Sequence, residues 1–331
     1  MTTVLELDRL SVHYQMEHRP PASAVDNVSL VIEEGEIFAL VGESGCGKSS
    51  LAMAIMGLLP ANADLDGQIR FGDTELTELS EHRWRQLRGD RLGMVFQDPL
   101  TSLDPSFGVG DQIAETISAH RTIDSGTARR RAAELLTEVG IPAAERRYGD
   151  APHRFSGGMR QRVVIAAAVA NDPAMLIADE PTTALDVTIQ AQILDLIRRL
   201  RDRHRTTILL IAHDLGVVAQ LADRVGVMYA GQLVEVGPVA DIFGRPEHPY
   251  TRALLAAQPT AAQAPGTLRV IEGQVPDPSH PPAGCRFAPR CPLVMPACTT
   301  FPPVGSLTPG HLVACWASPA SAPTAAAGAS A

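Results

Sequence analysis

The stretch EIFALVGESGCGKSS, residues 36–50, decides the fold of this chain of 331 residues. Its first six residues form an apolar run that is typical of a buried strand, and the apolar segment SSLAMAIMGLL that follows indicates a helix. Between the two, GESGCGKS fits the pattern G-x-x-x-x-G-K-[ST], in which backbone N–H groups and a helix N-terminus cradle phosphates. In this pattern Lys48 reaches the terminal phosphates and Ser49 offers a hydroxyl to Mg²⁺. A glycine turn that precedes a helix by coincidence is the weaker alternative, so the sequence predicts a site for a nucleoside triphosphate.

Two further apolar runs, AMLIADE (residues 174–180) and TTILLIAH (residues 206–213), are predicted to be strands of the same sheet. Helical segments alternate with these strands, which predicts a doubly wound α/β domain that binds its ligand at the carboxyl ends of the strands. The runs end on Asp179, Glu180 and His213. One carboxylate can hold Mg²⁺ and the next can polarise an attacking water, whereas two solvated loop acids are the alternative. Together with a phosphate loop in the same chain, these residues predict a nucleotide hydrolase.

Between Asp98 and about Asn171 the pattern changes to helices with charge runs such as ARRRAAELLTEVG, which predicts a helical insertion in the sheet domain. At its end the segment FSGGMRQRV sets a serine and two glycines directly before a long helix. This is a second anion site made of N–H groups and a helix N-terminus, although an ordinary serine cap is the alternative. Because one nucleotide needs only one such site on a chain, we expect a dimer. In it, Ser156, Gly157 and Gly158 of one subunit cover the γ-phosphate that the other subunit binds.

Taken in order along residues 4–255, these motifs resemble those of the ATP-binding cassette (ABC) ATPases. The resemblance implies a P-loop NTPase sheet domain over residues 1–255, with a helical subdomain at about residues 98–171, which binds and hydrolyses ATP with Mg²⁺. It also implies that Asp179 is a ligand of Mg²⁺ together with Ser49. The phosphate loop is expected to contact the nucleotide through Gly42, Ser44, Gly45, Cys46, Gly47, Lys48, Ser49 and Ser50.

The same resemblance implies roles for residues outside the phosphate loop. Glu180 is expected to be the catalytic base and His213 the sensor of the γ-phosphate. Gln97, in MVFQDPLTSLDP, is expected to contact Mg²⁺ and to relay its state to membrane subunits. Tyr14 is expected to stack on adenine, and Asp186, in TTALD, to reach across the dimer.

The signature reads FSGGM where the commonest form in the family is LSGGQ, and this variant points to a subfamily. FSGGMRQRV, EPTTALDVTIQAQILDLI, HPYTRALLAA and GCRFAPRCPLVMPAC are similar to the ATPases of oligopeptide, dipeptide and nickel importers, which extends the resemblance to about residue 316. The subfamily implies an importer ATPase for peptide uptake, peripheral at the cytoplasmic face of the cell membrane. Its expected partners are two integral membrane permease subunits, a second ABC ATPase subunit (a copy or a homologue) and an extracytoplasmic solute-binding protein. Import of nickel or another small solute, a soluble ABC ATPase that is no transporter, and a module that only senses nucleotide are the alternatives.

A proline-rich segment over residues 256–316 is expected to form a small, loop-rich C-terminal extension that needs cross-linking to hold its shape. Its cysteines follow the spacing Cys-x5-Cys-x6-Cys-x16-Cys, at Cys285, Cys291, Cys298 and Cys315. Four thiolates in a reducing compartment fit either tetrahedral zinc or a [4Fe–4S] iron–sulfur cluster, and the long intervals favour the cluster. The subfamily resemblance also implies the cluster, while free or oxidised thiols are the third alternative. The nearby His280 and His311 are expected at the surface rather than as ligands.

The composition restricts the partners and the location. The chain has 28 basic and 37 acidic residues and a net charge of −9, which argues against a protein whose main task is to bind nucleic acid or an anionic membrane surface. No stretch approaches the ~18–20 uncharged apolar residues of a membrane span, and the segment MTTVLELDRL has no apolar signal core. We therefore expect a cytoplasmic protein that needs membrane partners for transport. Residues 317–331 are of low complexity and are predicted to be a disordered tail.

Overall fold

Two β-sheets with helices around them make up the described part of the chain. The structure, a computed structural model, describes residues 2–99, 101–183, 185–258 and 270–321. The strands are β1 (Thr3–Met16), β2 (Arg19–Glu33), β3 (Ile37–Val41), β4 (Ala63–Phe71), β5 (Thr74–Glu75), β6 (Leu92–Val95), β7 (Met175–Asp179), β8 (Thr207–Ile211), β9 (Arg224–Tyr229), β10 (Gln232–Pro238), β11 (Val304–Thr308) and β12 (His311–Ala314). The α-helices are α1 (Lys48–Ile55), α2 (Glu81–Leu87), α3 (Val109–His120), α4 (Ser125–Glu138), α5 (Ala144–Arg147), α6 (Gly157–Ala168), α7 (Val187–His204), α8 (Leu215–Leu221), α9 (Val239–Gly244) and α10 (Pro249–Ala256). Over the residues described, no helix is long and apolar enough to cross a bilayer.

The larger sheet has eight strands in the order β11-β12-β10-β9-β3-β8-β7-β6, and the strands from β9 to β6 run parallel. β3, β7 and β8 are the strands that the sequence predicts, and every residue in them is buried. Continuous apolar runs are typical of parallel strands that are covered on both faces. The register pairs Leu40 of β3 with Ile211 of β8, and Ala178 of β7 with Leu210 of β8, so the carboxyl ends of these strands meet at one edge. The predicted α/β sheet is therefore confirmed.

Helices α3 to α6 lie between β6 and β7, in the part of the chain where the sequence predicts a helical insertion. Ile113 and Ile117 of α3 and Leu135 and Leu136 of α4 are buried in one apolar cluster. The same cluster includes Val95 of β6, and α6 also packs on β6. The core of these helices is thus continuous with that of the sheet, and this packing fixes where the N-terminus of α6 lies.

A second, antiparallel sheet, in the order β2-β1-β4-β5, covers the opposite side of the core. Leu5 and Leu7 of β1 are buried in a cluster that also holds Phe38 and Leu40 of β3. This sheet is not predicted from the sequence. It matters for the site because β2 runs beside the loop that follows β3.

The C-terminal extension continues the larger sheet. β12 pairs antiparallel with β10 through Val236 and Leu312, and β11 pairs with β12 in a hairpin. The extension therefore contains two strands besides the predicted loops. Of the tail predicted to be disordered, residues 317–321 end in a short 3₁₀ helix, Pro319–Ser321, and residues 322–331 lie outside the described residues.

Candidate active site

The loop of residues 42–47 joins β3 to α1, and two of its glycines leave no room for a side chain. A Cβ at Gly42 would lie 2.1 Å from the carbonyl oxygen of Met228, and one at Gly47 would lie 2.0 Å from that of Ala24. Gly47 also has a φ of +106°, a conformation that favours glycine. The loop is therefore pressed between β9 and β2, which fixes its path into the N-terminus of α1.

The side chain of Lys48 is folded back into this loop and is buried. Its Nζ donates hydrogen bonds to the carbonyl oxygens of Gly42 (2.9 Å) and Glu43 (3.0 Å) and lies 3.6 Å from Sγ of Cys46. Burial raises the pKa of the Cys46 thiol, and the charge of Lys48 offsets only part of this rise. Cys46 is therefore a neutral packing residue, and Lys48 supplies the positive charge of the loop.

Asp179, the last residue of β7, is a buried carboxylate at the same edge of the sheet. Its Oδ1 has no hydrogen-bond partner in the described part of the chain, and the side chain of Ser49 lies close enough to affect its pKa. Burial raises the pKa of Asp179, and the charge of Glu180 adds to this, while Ser49 and Lys48 lower it in part. Carboxylate and hydroxyl oxygens are ligands that Mg²⁺ accepts, and a buried oxygen without a partner calls for one. Asp179 and Ser49 therefore fit the predicted metal.

Glu180 follows directly and gathers three side chains on one carboxylate oxygen. Its Oε2 accepts hydrogen bonds from Nε2 of Gln97 (2.9 Å) and Oγ1 of Thr183 (2.9 Å), and lies 3.4 Å from Nδ1 of His213. These partners come from the loops after β6, β7 and β8, so the meeting of strand ends brings Glu180, Gln97 and His213 together. Glu180 has a φ of +46°, which is uncommon for a residue with a side chain and recurs at functional sites. Thr183 is not among the predicted site residues, because nothing in the sequence distinguishes it from Thr182.

Tyr14 of β1 reaches the first turn of α1. Its hydroxyl donates a hydrogen bond to Oγ of Ser50 (3.0 Å), and its ring is half-buried. Ser44, Gly45 and Ser49 are exposed along the loop. The structure thus places Tyr14 beside a phosphate loop that a ligand can reach from the solvent.

The second predicted anion site lies at the N-termini of α6 and α7. The side chain of Ser156 caps α6 by accepting a hydrogen bond from the backbone N of Met159 (3.4 Å), and Asp186 caps α7 by accepting one from Ile189 (3.0 Å). A Cβ at Gly158 would lie 2.4 Å from Cγ2 of Ile189, so the two helix ends are in contact. Ser156 and Asp186 are both exposed. Among the residues described, no hydrogen bond joins these helix ends to the phosphate loop of the same chain.

The four cysteines of the extension are near one another and form no disulfide. The backbone N of Cys285 donates a hydrogen bond to the carbonyl oxygen of Cys298 (3.0 Å). Burial raises the pKa of Cys285 to about 11, with smaller contributions from the charges of Cys298 and Cys315, and burial likewise raises the pKa of Cys291. Across the described ranges, however, no group of three or more His, Cys, Asp or Glu side chains is placed to hold a metal ion. The geometry therefore gives no support to an iron–sulfur cluster or to zinc.

One of the two nearby histidines is not where the sequence analysis expects it. His280 is exposed, but His311 is buried, with its Nε2 2.8 Å from Oε1 of the buried Glu235. Glu235 also accepts hydrogen bonds from the backbone N–H groups of Glu247 and His248. The prediction of a surface His311 is wrong because a buried carboxylate needs donors, and the pairing of β12 with β10 brings His311 to it.

Comparison with known proteins finds matches along most of the chain. The family model of the ABC transporter matches residues 25–183, and that of the oligopeptide/dipeptide transporter C-terminal region matches residues 234–298. The oligopeptide transport ATP-binding protein AppD of Bacillus subtilis is 48% identical over 305 residues, which cover 92% of this chain and 93% of the relative. The dipeptide transport ATP-binding protein DppD of the same organism is 46% identical over 319 residues, covering 96% and 95%. Among solved structures, the dimeric ATP-binding cassette MJ0796 in a post-hydrolysis state, bound to ADP and phosphate, is similar with a TM-score of 0.64 and 28% identity, over 71% of this chain and 98% of that one.

Proposed function

Because this chain belongs to the ABC transporter ATP-binding proteins that carry the oligopeptide/dipeptide transporter C-terminal region, we propose that it drives peptide import by hydrolysing ATP at a site shared between two cassettes. The observation that carries this proposal is the arrangement at the carboxyl edge of the larger sheet. There Lys48 fills the phosphate loop, Asp179 has a buried oxygen without a partner among the described residues, and Glu180 is held by side chains from three loops. A cation for the phosphates, a ligand for the metal and a base for water are what phosphoryl transfer to water requires.

Hydrolysis transfers the γ-phosphoryl group of ATP to water. When ATP binds, Nζ of Lys48 leaves the carbonyl oxygens of Gly42 and Glu43 and donates to phosphate oxygens instead. The N-terminus of α1 adds positive potential. Ser49 and Asp179 would hold Mg²⁺, which would supply positive charge to neutralise the phosphate oxygens. Glu180 accepts a proton from the attacking water while the bond from the γ-phosphorus to the bridging oxygen breaks, which leaves ADP and inorganic phosphate.

The partners of Glu180 orient its carboxylate for this step. Gln97, Thr183 and His213 all contact Oε2, so we assign the water to Oε1. Gln97 and His213 are exposed, which lets each respond to what binds at the edge of the sheet. His213 is the group that we place nearest the γ-phosphate, and Gln97 the one that also approaches Mg²⁺.

A second cassette, arranged head to tail, completes the site. We assign Ser156, Gly157 and Gly158 to the γ-phosphate bound by the partner, because the N-terminus of α6 offers N–H groups and positive potential to an anion. Supporting this, Ser156 is exposed, and a Cβ built at Gly157 would meet nothing nearer than Leu185 at 3.7 Å. Asp186, at the adjacent helix end, is assigned to the partner's phosphate loop. The dimeric state of the similar cassette MJ0796 also supports the pairing.

Transport requires membrane subunits as well as the two ATPase subunits. We propose that two integral membrane permeases dock beside Gln97, where Phe96 and Phe107 are exposed, since exposed apolar side chains mark interaction surfaces. The second ATPase subunit is a copy or a homologue, and an extracytoplasmic solute-binding protein delivers the peptide. The chain then lies at the cytoplasmic face of the membrane as a peripheral subunit, with no nucleic acid as a partner.

The cysteines of the extension are assigned to a [4Fe–4S] cluster, with zinc as the alternative. The support is their spacing in the sequence, Cys-x5-Cys-x6-Cys-x16-Cys. Thiolate ligands of this number suit either metal centre.

The Glu180→Gln variant tests the proposed function. Assembled with its permeases and second ATPase subunit in lipid vesicles, it should bind ATP but hydrolyse it about 100-fold more slowly, because the base is lost. Peptide uptake should fall with it. Glu138→Gln is the matched control. It removes a carboxylate at the end of α4 that pairs with Arg203 near the end of α7, so the rates of ATP hydrolysis and of peptide uptake should both stay at the wild-type level. ATP turnover near the wild-type rate in Glu180→Gln would show that the base is misassigned, and a wild-type complex that imports nickel but no peptide would refute the peptide substrate.

A further inference from the structure

The C-terminal extension reaches the phosphate loop through one arginine. Arg290 has a side chain that is only 5% exposed. Its Nη1 donates a hydrogen bond to Oε2 of Glu43 (2.8 Å) and its Nη2 donates one to Oε1 (3.2 Å), which makes the pair bidentate. The carbonyl oxygens of Ile271 and Glu272 and the hydroxyl of Tyr229 accept from the remaining N–H groups. All five donors are used, so the guanidinium is held in one orientation.

Glu43 is the second residue of the phosphate loop, and its backbone is fixed as firmly as its side chain. Its N–H donates a hydrogen bond to the hydroxyl of Tyr250 (2.9 Å), and its carbonyl oxygen accepts one from Nζ of Lys48 (3.0 Å). Tyr250 is fully buried and packs against Tyr229 and Phe287, with ring centroids 4.5 and 5.4 Å apart. Glu43, which contacts Lys48, is thus fixed by two residues from the C-terminal part of the chain, Tyr250 and Arg290.

The carboxylate of Glu43 creates an electrostatic conflict in this loop. The loop binds a triphosphate, and like charges repel one another more strongly in partly buried surroundings than in water. Lys48 does not resolve the conflict, because it binds the carbonyl oxygen of Glu43 and not the carboxylate. In the described part of the chain, Arg290 is the cation that pairs with this carboxylate.

We propose that Arg290 is a positioning residue of the nucleotide site, which cancels the charge of Glu43 and holds its carboxylate on the side of the extension. The inference rests on the proposed function, since it assigns Arg290 to the same ATP site. It gives the extension a task in ATP binding: the loop is compatible with a triphosphate only while Arg290 is in place.

The test measures the dissociation constant of a non-hydrolysable ATP analogue with Mg²⁺, by equilibrium dialysis against the full-length chain. Arg290→Gln leaves Glu43 unpaired and should weaken binding about 5- to 30-fold, the factor that ~1–2 kcal/mol produces. The double variant with Glu43→Gln also removes the negative charge, so its dissociation constant should return to within about threefold of wild type, as replacing both partners of a pair is near neutral. Arg290→Lys keeps the charge without the bidentate geometry and should fall between the two.

Arg224→Gln is the matched control. Arg224 pairs with Glu36 (3.1 Å) at the amino ends of β9 and β3, whereas Arg290 pairs with Glu43 at their carboxyl ends. Both substitutions break a partly buried arginine–glutamate pair, so both should lower the thermal unfolding temperature. Only Arg290→Gln should weaken nucleotide binding.

Three results would each overturn the inference: unchanged binding in Arg290→Gln, equally weak binding in Arg224→Gln, or a double variant that binds no better than Arg290→Gln. Rescue by Glu43→Gln would show that the unpaired carboxylate causes the loss of binding. The Arg224→Gln control separates this loss from a general loss of stability, because it breaks a similar pair away from the nucleotide site. If Arg290→Gln fails to fold, Arg290→Lys and the double variant decide the question. A wild-type chain that bound no nucleotide would instead overturn the proposed function, and this inference with it.

Discussion

The carboxyl edge of the larger sheet and the C-terminal extension both bury polar side chains, but they satisfy them differently. At the sheet edge, Oδ1 of Asp179 has no hydrogen-bond partner among the residues described. In the extension and the strand it joins, Glu235 accepts from two backbone N–H groups and contacts His311, and Arg290 uses all five of its donors. An unpaired buried polar group costs stability that a bound ligand can return. Nε of Arg286 in the extension also has no partner among the described residues, but the other nitrogens of this guanidinium bind Ala230, Ser23 and Asp26. The unpaired atom at the sheet edge is instead a carboxylate oxygen, which a metal ion can bind. The difference indicates that the sheet edge is built for a ligand, while the extension is built to hold its neighbours in place.

Asp179→Asn should show the largest effect and should change activity and stability in opposite directions. An amide is a poor substitute for the carboxylate as a Mg²⁺ ligand, so we expect ATP turnover to fall about 100- to 1000-fold, as when one group that stabilises transition-state charge is removed (~2.7–4 kcal/mol). Burial raises the pKa of Asp179 above its ordinary 3.8, so the folded state binds this proton more tightly than the unfolded state. Protonated Asp179 therefore adds stability below the pKa that this carboxyl has in the unfolded chain. This stability is lost as the pH rises through the pKa that it has in the folded chain. At neutral pH the variant without nucleotide should therefore unfold at the same or a higher temperature than wild type.

Asp195→Asn, on the exposed part of α7, is the control for this pair of measurements and should change neither turnover nor unfolding. An Asp179→Asn chain that unfolds at a clearly lower temperature would mean that the carboxylate already has partners. The contrast between the two regions would then fail.

Most of the sheet edge could be predicted from the sequence because its signals are local. Asp179 and His213 each follow directly on an apolar run, and Lys48 ends the glycine-rich loop that follows another. The carboxyl ends of parallel strands meet whatever lies between the strands in the chain. The contacts of the extension join distant residues: His311 and Glu235 are 76 positions apart, and Arg290 and Glu43 are 247 apart. A single sequence holds no signal for such pairs.

The antiparallel sheet was missed for a different reason. β1 alternates buried and exposed residues only in part, because its pairing with β2 shifts register between Leu7 and Leu10, where Arg9 has a φ of +47°. A bulge of this kind interrupts the period of two on which strand prediction depends.

The cysteines can break the comparison, because a bound metal centre would make the extension a ligand site as well. Protein purified without oxygen should contain iron and inorganic sulfide, and Cys298→Ser should lose both. The variant should also be less stable, by about 2.7 kcal/mol if the free metal centre is at 100 times its dissociation constant. Metal analysis and thermal unfolding check this expectation. Cys46→Ser, which changes a thiol outside the extension, should keep the metal; zinc in place of iron would favour the alternative, and metal-free protein would refute the site.

His248→Asn should give the smallest effect, a change in how the free energy of unfolding depends on pH. His248 is buried, and its Nδ1 caps α10 by accepting a hydrogen bond from the backbone N of Tyr250 (3.0 Å). Burial, with a contribution from the charge of Arg252, lowers the pKa of His248 from 6.5 to about 3. Because the folded state resists protonation, its stability is complete above the unfolded pKa and is lost as the pH falls toward the folded one. Between pH 6.5 and 5 this loss amounts to about 1.6 kcal/mol, because the slope approaches 1.36 kcal/mol for each unit only below the unfolded pKa. His248→Asn keeps an acceptor for the cap but does not titrate, so its urea unfolding should depend less on pH by that amount. If the wild type and the variant lost stability equally between these pH values, His248 would already have a partner for its proton. The helix α10, whose cap packs against Phe287 of the extension, would then resemble the sheet edge.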